Sequence, residues 1–193
     1  MIRLLVPLLL VVAGAPAFAE TRAWNFRVYL DEREIGYHRF TLHGEGEARE
    51  LQSEARFQVR LLGFTAYRYR HDATERWRGD CLQALDSSTD DDGERQKVDW
   101  REAPGACAMS FAYWHPKILQ GGRLLNAQTG RFEAITVTPG GEETIEVRGS
   151  PTPSQRYRLV GANLAIDIWY AGKQWVALES AARGGRRLRY RLM

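Results

Sequence analysis

The sequence predicts an all-β protein with at most one or two short helices. Its strands are expected to form a strongly curved antiparallel meander, an open or half barrel of about eleven strands. Three observations predict this fold class. Apolar and polar residues alternate one by one along most of the chain. Turn sequences rich in Gly, Asp and Pro recur about every 10–15 residues. Each alternating segment has one apolar face, so the sheet is expected to curve around its own core.

The first residues have the composition of a cleaved secretory signal peptide. Arg3 is the only charge before residue 20, residues 4–12 are almost entirely apolar, and Ala17-Phe18-Ala19 has the pattern of a cleavage site. The apolar run is too short to span a bilayer as a helix. We therefore predict cleavage after Ala19, a periplasmic or secreted location, and a single antiparallel β domain over residues 20–193.

The alternation is clearest in the first half of the chain. Even-numbered residues are predicted to face inward in the first two strands, and odd-numbered residues in the third and fourth. Polar or glycine-containing turns separate these strands, since glycine supplies the positive φ that tight turns need. The predicted strands cover residues 24–30, 35–43, 51–61 and 65–77.

The fourth predicted strand has two unlike faces. Its outward face is rich in arginine, whereas its inward face carries a His and a Glu among large aromatic side chains. The inward residues are Thr65, Tyr67, Tyr69, His71, Ala73, Glu75 and Trp77.

The pattern is interrupted once and then resumes. Strands at 81–89 and 94–100 are joined by a turn ending in Asp92-Gly93. Residues 107–113 suit a strand or a helical turn, and Pro116 is a good first residue for a short helical turn over 116–119. Residues 139–141 are predicted as a turn and 150–154, with two prolines, as a loop. Further strands are predicted at 132–138, 143–148, 156–160, 164–170, 174–180 and 186–193.

The chain has two cysteines, Cys81 and Cys107. In an oxidising compartment such a pair is expected to form a disulfide. Closing a loop of about 25 residues stabilises a protein by roughly 3–4 kcal/mol in the chain-entropy description. Two free thiols or a metal site are the alternatives, but no His lies near either Cys at zinc-site spacing.

No catalytic motif stands out. No G-x-S-x-G is present, and Ser110 is the only Ser with a His close in sequence. Glu75 is predicted to face inward, whereas Asp167 is expected on the outer face, so the carboxylate pair of a glycosidase is missing. His71 and Glu75 share a face but lie about 13 Å apart along the strand. We therefore predict no catalytic residue, no cofactor and no metal site.

The aromatic residues are the more informative feature. The chain has six Trp and eight Tyr, many on inward faces. They either fill a closed core or line a groove for an amphiphile. Residues 111–119 suit a flap over such a groove, because they are aromatic, interrupt the strand pattern and carry a few polar groups. The candidate ligand-binding residues are His38, Tyr67, Tyr69, His71, Glu75, Tyr113, Trp114 and His115.

Several longer segments are distinctive: NFRVYLDEREIGYHRFTL, GFTAYRYRHDATERWRGDCL, MSFAYWHPKIL with RLLNAQTG, and DIWYAGKQWVALES with RRLRYRL. Together they resemble an uncharacterised, domain-of-unknown-function family of secreted bacterial proteins. The resemblance covers nearly the whole mature chain and implies no known activity. The first hairpin and the ending, with its Y-x-G-x-x-W pattern, are also similar to periplasmic domains that resemble the half-barrel of lipoprotein carriers. That second resemblance implies an apolar hollow that binds acyl chains.

The leading hypothesis is a non-enzymatic binding or carrier module for an apolar or lipid-like ligand. An envelope accessory protein acting through protein–protein contacts is an alternative, since the outer faces are striped with arginine. An enzyme using His71, Glu75 and His115 is another. A small outer-membrane barrel fits the alternation, but such barrels usually end in an aromatic residue and this chain ends in Met193. Arginines on strand faces give no reason to expect nucleic acid, and no segment suits a transmembrane helix.

Overall fold

The computed structural model describes residues 21–61 and 64–193. The predicted signal peptide lies outside these residues. Within them the protein is all-β, with thirteen strands rather than the eleven or so expected, and two short 3₁₀ helices at Pro116–Gln120 and Arg183–Gly185. No helix in the described part of the chain is long and apolar enough to cross a membrane. The strands are β1 Thr21–Leu30, β2 Arg33–His43, β3 Ala48–Leu61, β4 Phe64–Arg78, β5 Cys81–Asp91, β6 Glu94–Arg101, β7 Met109–Ser110, β8 Gly122–Leu125, β9 Phe132–Val147, β10 Ser150–Val160, β11 Ala165–Ala171, β12 Gln174–Ala181 and β13 Arg187–Leu192.

The strands form one large curved sheet, in the order β6-β5-β4-β3-β2-β1-β13-β12-β11-β10-β9-β8-β7. Nearly every strand pairs antiparallel with its neighbour in sequence, as a meander requires. The exceptions are β1 and β13, which pair with each other from Phe26↔Leu192 to Leu30↔Leu188, and the short parallel pair of β7 and β8. The first and last strands therefore meet in the middle of the sheet, and β6 and β7 lie at its two edges.

The sheet is not closed by a strand ladder, but three contacts join β5 to the segments flanking β7 and β8. Cys81 and Cys107 form a disulfide, as the sequence predicted. The Leu82 amide donates to the Ala108 carbonyl over 2.9 Å. The Ser87 hydroxyl donates to the Ala127 carbonyl. These contacts hold the two sides of the curved sheet together and enclose its interior.

Inward and outward faces follow the predicted alternation along most strands. In β1 the buried side chains are Trp24, Phe26 and Val28, and the intervening residues are exposed. In β4 burial alternates in the same way from His71 to Trp77. Asp167 lies on the outer face, as expected, where it pairs with arginines of β10.

Two bulges change the predicted faces locally. Val28 pairs with Gly36 and Tyr29 with Glu34, so Ile35 is the extra residue and turns into the interior. A second register shift, between β3 and β4, makes Ala66 the extra residue. The assignment of Thr65 to the inward face was wrong for this reason. Its hydroxyl accepts a hydrogen bond from Gln58, and both side chains lie outside.

The predicted turn at 139–141 and loop at 150–154 were also wrong. β9 and β10 are long strands that pair from Val160↔Thr136 to Ser150↔Val147, through both segments, with Gly140 as a bulge opposite the Arg156–Tyr157 step. Their prolines, Pro139, Pro151 and Pro153, lie beyond the residues that pair with β8 and β11. There each strand has a described partner on one side only, which is where a strand tolerates a residue without an N–H.

Gly36→Ala is expected to destabilise the protein by about 2 kcal/mol or more. Gly36 has a φ of +148°, and a Cβ there would lie 1.9 Å from the backbone carbonyl oxygen of Arg56. Urea-induced unfolding measures the loss. The control is Gly46→Ala, in a turn with φ +57° and no atom within 4 Å of the added Cβ. If both variants lost the same free energy of unfolding, the close approach of the new Cβ to the Arg56 carbonyl in β3 would not be the cause.

Candidate ligand-binding cavity

The interior of the curved sheet contains two adjoining cavities. The inner cavity has a volume of about 240 Å³ and lies between β2–β4 and β11–β13. The outer one, here called the mouth cavity, has a volume of about 590 Å³. It lies at the barrel end where β1 meets β2 and β5 ends. The side chains that line both cavities are His38, Tyr69, Gln128, Leu188 and Tyr190.

The opposite end of the barrel is filled by residues 111–120, here called the plug. Its Ala112, Trp114, His115 and Ile118 are buried. The Trp114 ring packs edge-on against Trp77, with 5.5 Å between ring centroids. The predicted flap is thus a packed segment inside the barrel, and the predicted helical turn is its 3₁₀ helix.

Hydrogen bonds fix the plug to the sheet and to itself, among them two that involve side chains. The Tyr170 hydroxyl of β11 donates to the Tyr113 carbonyl. The amide of Lys117 donates to His115 Nδ1 over 3.2 Å, which caps the start of the 3₁₀ helix. The aromatic residues at this end therefore act as a filled core, one of the two roles the sequence left open.

His115 belongs to the plug and lines neither cavity. Its Nε2 lies 3.0 Å from Asp80 Oδ1, and Asp80 also pairs with Lys117 at 2.7 Å. Burial lowers the pKa of His115, and the hydrogen bond with Asp80 opposes that shift. The structure thus places His115 as an anchor of the plug, in contact with the Trp114 ring but outside both cavities.

Two neutral histidines line the inner cavity. His38 and His71 flank Ala55 on the inner face, because both pair with it through β3. His38 bonds Ser53 at 2.8 Å and the Tyr190 hydroxyl at 3.3 Å, whereas His71 bonds Thr89 at 2.8 Å. Burial lowers the pKa of both rings, that of His38 well below its ordinary value. Both are therefore uncharged at neutral pH.

Glu75 is the carboxyl group of the inner cavity. It is 6% exposed, and its Oε2 accepts a hydrogen bond of 3.0 Å from Trp77 Nε1. Burial raises the pKa of Glu75 to about 7, although Ser110 and Trp77 oppose the shift. Ser110 is fully buried, and its hydroxyl has no hydrogen bond of good geometry in the described structure. At neutral pH a large fraction of Glu75 is thus an uncharged acid.

The structure brings seven of the eight candidate residues to the cavities. Six line the inner cavity and Tyr67 lines the mouth cavity, where its hydroxyl donates to Asp91 over 2.7 Å. Sequence reasoning missed Gln128, which lies in a turn that carries no periodic signal. It also missed Tyr190, although the alternation of the last predicted strand placed Tyr190 on its apolar face. The six residues of the inner cavity are His38, Tyr69, His71, Glu75, Tyr113 and Trp114.

The polar groups of the interior include one hydroxyl–imidazole pair, because Ser53 and His38 both line the inner cavity and bond each other at 2.8 Å. The other nitrogen of His38 bonds the Tyr190 hydroxyl and not a carboxylate. The Ser110 hydroxyl bonds no histidine in the described residues. Within the same residues no three His, Cys, Asp or Glu side chains are grouped so that they could hold a metal ion. What the interior offers is enclosed space with polar groups placed around it, the usual form of a small-molecule site.

Comparison with known proteins finds a matching family and a solved structure with a similar fold. The family model described as a domain of unknown function (DUF6134) matches residues 26–193. None of the curated proteins compared with the chain matches it. One similar solved structure is the crystal structure of a beta-barrel-like protein of domain of unknown function DUF1849 from Brucella abortus. It aligns with a TM-score of 0.62 over 91% of this chain and 96% of that chain, at 11% identity. At this identity the likeness concerns the fold alone.

Proposed function

Since the chain belongs to the DUF6134 family of domains of unknown function, we propose its role from the cavities themselves. It is a secreted or periplasmic protein that binds, and as a carrier transports, an apolar or lipid-like small ligand inside the barrel. The observation that carries the proposal is the mouth cavity of about 590 Å³, which adjoins a second cavity deeper in the barrel. Its volume lies within the range of known ligand sites.

The mouth cavity is a hollow that opens to solvent and that the chain does not fill with side chains. Cores pack to the density of organic crystals and contain few voids larger than a water molecule. This chain fills the plug end of the barrel with aromatic rings, yet leaves the other end hollow. The same sheet therefore encloses a packed core at one end and an unfilled cavity at the other, and the cavity favours a binding role.

The walls of the mouth cavity suit an apolar ligand. Most of the lining side chains are aliphatic or aromatic, and the charged ones are Asp91 and Arg186. Burying apolar ligand surface against such walls contributes roughly 25 cal/mol per Å² before the losses of association. The side chains that supply this apolar surface include Leu30, Ile35, Phe57, Val59, Ala66 and Leu188.

Ala66→Trp is expected to weaken ligand binding at least about tenfold, because the new ring would occupy the mouth cavity. Ala66 is exposed and lines that cavity, so the barrel should still fold. Binding is measured with the uncharged dye Nile red, whose fluorescence rises in apolar surroundings.

Thr65→Trp is the matched control, since the neighbouring Thr65 side chain lies on the outer face beside Gln58. The wild type and the Thr65→Trp protein should bind the dye saturably, with one molecule per chain and similar affinity. A wild-type protein that binds no dye, or equal weakening by both substitutions, would overturn the proposed function.

A further inference from the structure

We propose that the ligand is an amphiphile with an uncharged hydrogen-bonding head, and that it binds head first. The inner cavity holds the head, and the mouth cavity holds the apolar tail. This inference rests on the proposed function and adds the chemical class and the orientation of the ligand.

The inner cavity has polar groups that no protein group satisfies. Trp114 lines it, and its indole Nε1 is buried without a hydrogen-bond partner in the described structure. Tyr69 and Tyr113 also line it, so their hydroxyls are available to a ligand. His71 is 6% exposed and uses Nδ1 to bond Thr89, whereas its Nε2 has no partner among the described residues. Buried polar groups are nearly always hydrogen-bonded, because leaving them unpaired is unfavourable. A ligand head with matching donors and acceptors would satisfy them.

The inner cavity offers no full counter-charge to an ionic head. Neither Lys nor Arg occurs among the described side chains that line it, so an anionic head would lack a counter-charge. Burial raises the pKa of the Tyr69 and Tyr113 hydroxyls and lowers that of both histidines, so these groups are neutral. Glu75 is the one acid there, and because burial raises its pKa to about 7 it is only partly ionised at neutral pH and offers a cationic head an incomplete counter-charge. Burying an unpaired charge in such surroundings is strongly unfavourable.

The mouth cavity is the more apolar of the two, although the inner cavity also has many apolar side chains in its walls. The walls of the mouth cavity are mainly apolar, and its charged residues are Asp91 at the end of β5 and Arg186 just before β13. A ligand that bound tail first would place its chain against Glu75, His71 and the tyrosine hydroxyls. The head-first orientation instead matches polar groups with polar groups and the tail with apolar walls.

The test compares decanol, decanoate and decyltrimethylammonium, which carry the same tail on an uncharged, an anionic and a cationic head. Each displaces Nile red from the wild-type protein at neutral pH. We expect decanol to bind at least about tenfold more tightly than either ion. Tyr69→Phe and Tyr113→Phe should each weaken decanol binding about fivefold, because each removes one hydrogen-bonding group.

Tyr29→Phe is the control, since this Tyr lies on the outer face under Arg191 and should leave decanol binding unchanged. Thermal unfolding checks that all three variants are folded. If the dye binds saturably but the three heads bind equally, an ion binds best, or the inner Tyr→Phe changes have no effect, this inference is overturned and the proposed function stands. If neither dye nor any decyl compound binds, the proposed function itself fails.

Discussion

Glu75→Gln should make the protein more stable than the wild type above neutral pH, by up to about 3 kcal/mol. The wild-type carboxyl has its pKa raised by burial from 4.5 to about 7. The folded protein therefore holds a proton that the unfolded chain releases. The stability that this proton contributes is fully present below about pH 4.5 and is lost as the pH rises through about 7. Gln has the same shape and can still accept the Trp77 hydrogen bond, but it does not ionise.

The measurement is urea unfolding of both proteins at several pH values from about 5 to 8. The difference between variant and wild type should grow with pH across this range. Glu94→Gln is the control, because it removes an exposed carboxylate at the start of β6. Parallel stability curves for wild type and Glu75→Gln would show that the buried carboxyl does not govern this pH dependence.

His38 and His71 change the stability with pH in the direction opposite to Glu75. Comparing Glu75→Gln with the wild type at each pH cancels their contribution, because both proteins contain these histidines. Burial lowers the pKa of both rings from 6.5, so the unfolded chain binds more protons than the folded one in mild acid. Their contribution to stability is present above about pH 6.5 and is lost as the pH falls. The wild type should therefore be most stable over an intermediate pH range, with these histidines limiting the acid side and Glu75 the alkaline side.

Removing the disulfide with Cys81→Ala and Cys107→Ala together should lower the free energy of unfolding by about 3–4 kcal/mol. The bond joins residues 26 apart in sequence and restrains the unfolded chain accordingly. For a chain of this size the melting temperature should fall by roughly 10 °C. Nile red binding should also weaken, because Cys107 holds the segment leading to β7 and the plug against β5.

A reducing agent provides the control for this prediction. It should lower the melting temperature of the wild type to about that of the double variant, and it should leave the variant unchanged. An unchanged melting temperature in the variant would mean that the Ala108 and Ala127 hydrogen bonds to β5 suffice to hold the sheet together.

The alternation of the sequence was enough to predict much of the fold. It correctly predicted the inward faces of β1, of β3 and of β4 from His71 to Trp77, and most of the turns. β8 was missed, and β7 was left open between a strand and a helical turn, because both are short and lie where the alternation is interrupted. The bulges at Ile35 and Ala66 were missed because an extra residue shows itself only against the register of a partner strand.

Some residues of the candidate site could be predicted from the sequence, and others only from the tertiary structure. Side-chain parity within one strand was sufficient to place His71 and Glu75 on the inward face, because parity is a local property of extended backbone. Only the tertiary structure put His38 beside His71 across Ala55, removed His115 to the plug, and brought in Gln128 and Tyr190. It also made Glu75 a weak acid, since burial depends on strands distant in sequence. A cavity is the volume left when such strands curve around each other, and local alternation does not encode how much of that volume the plug fills.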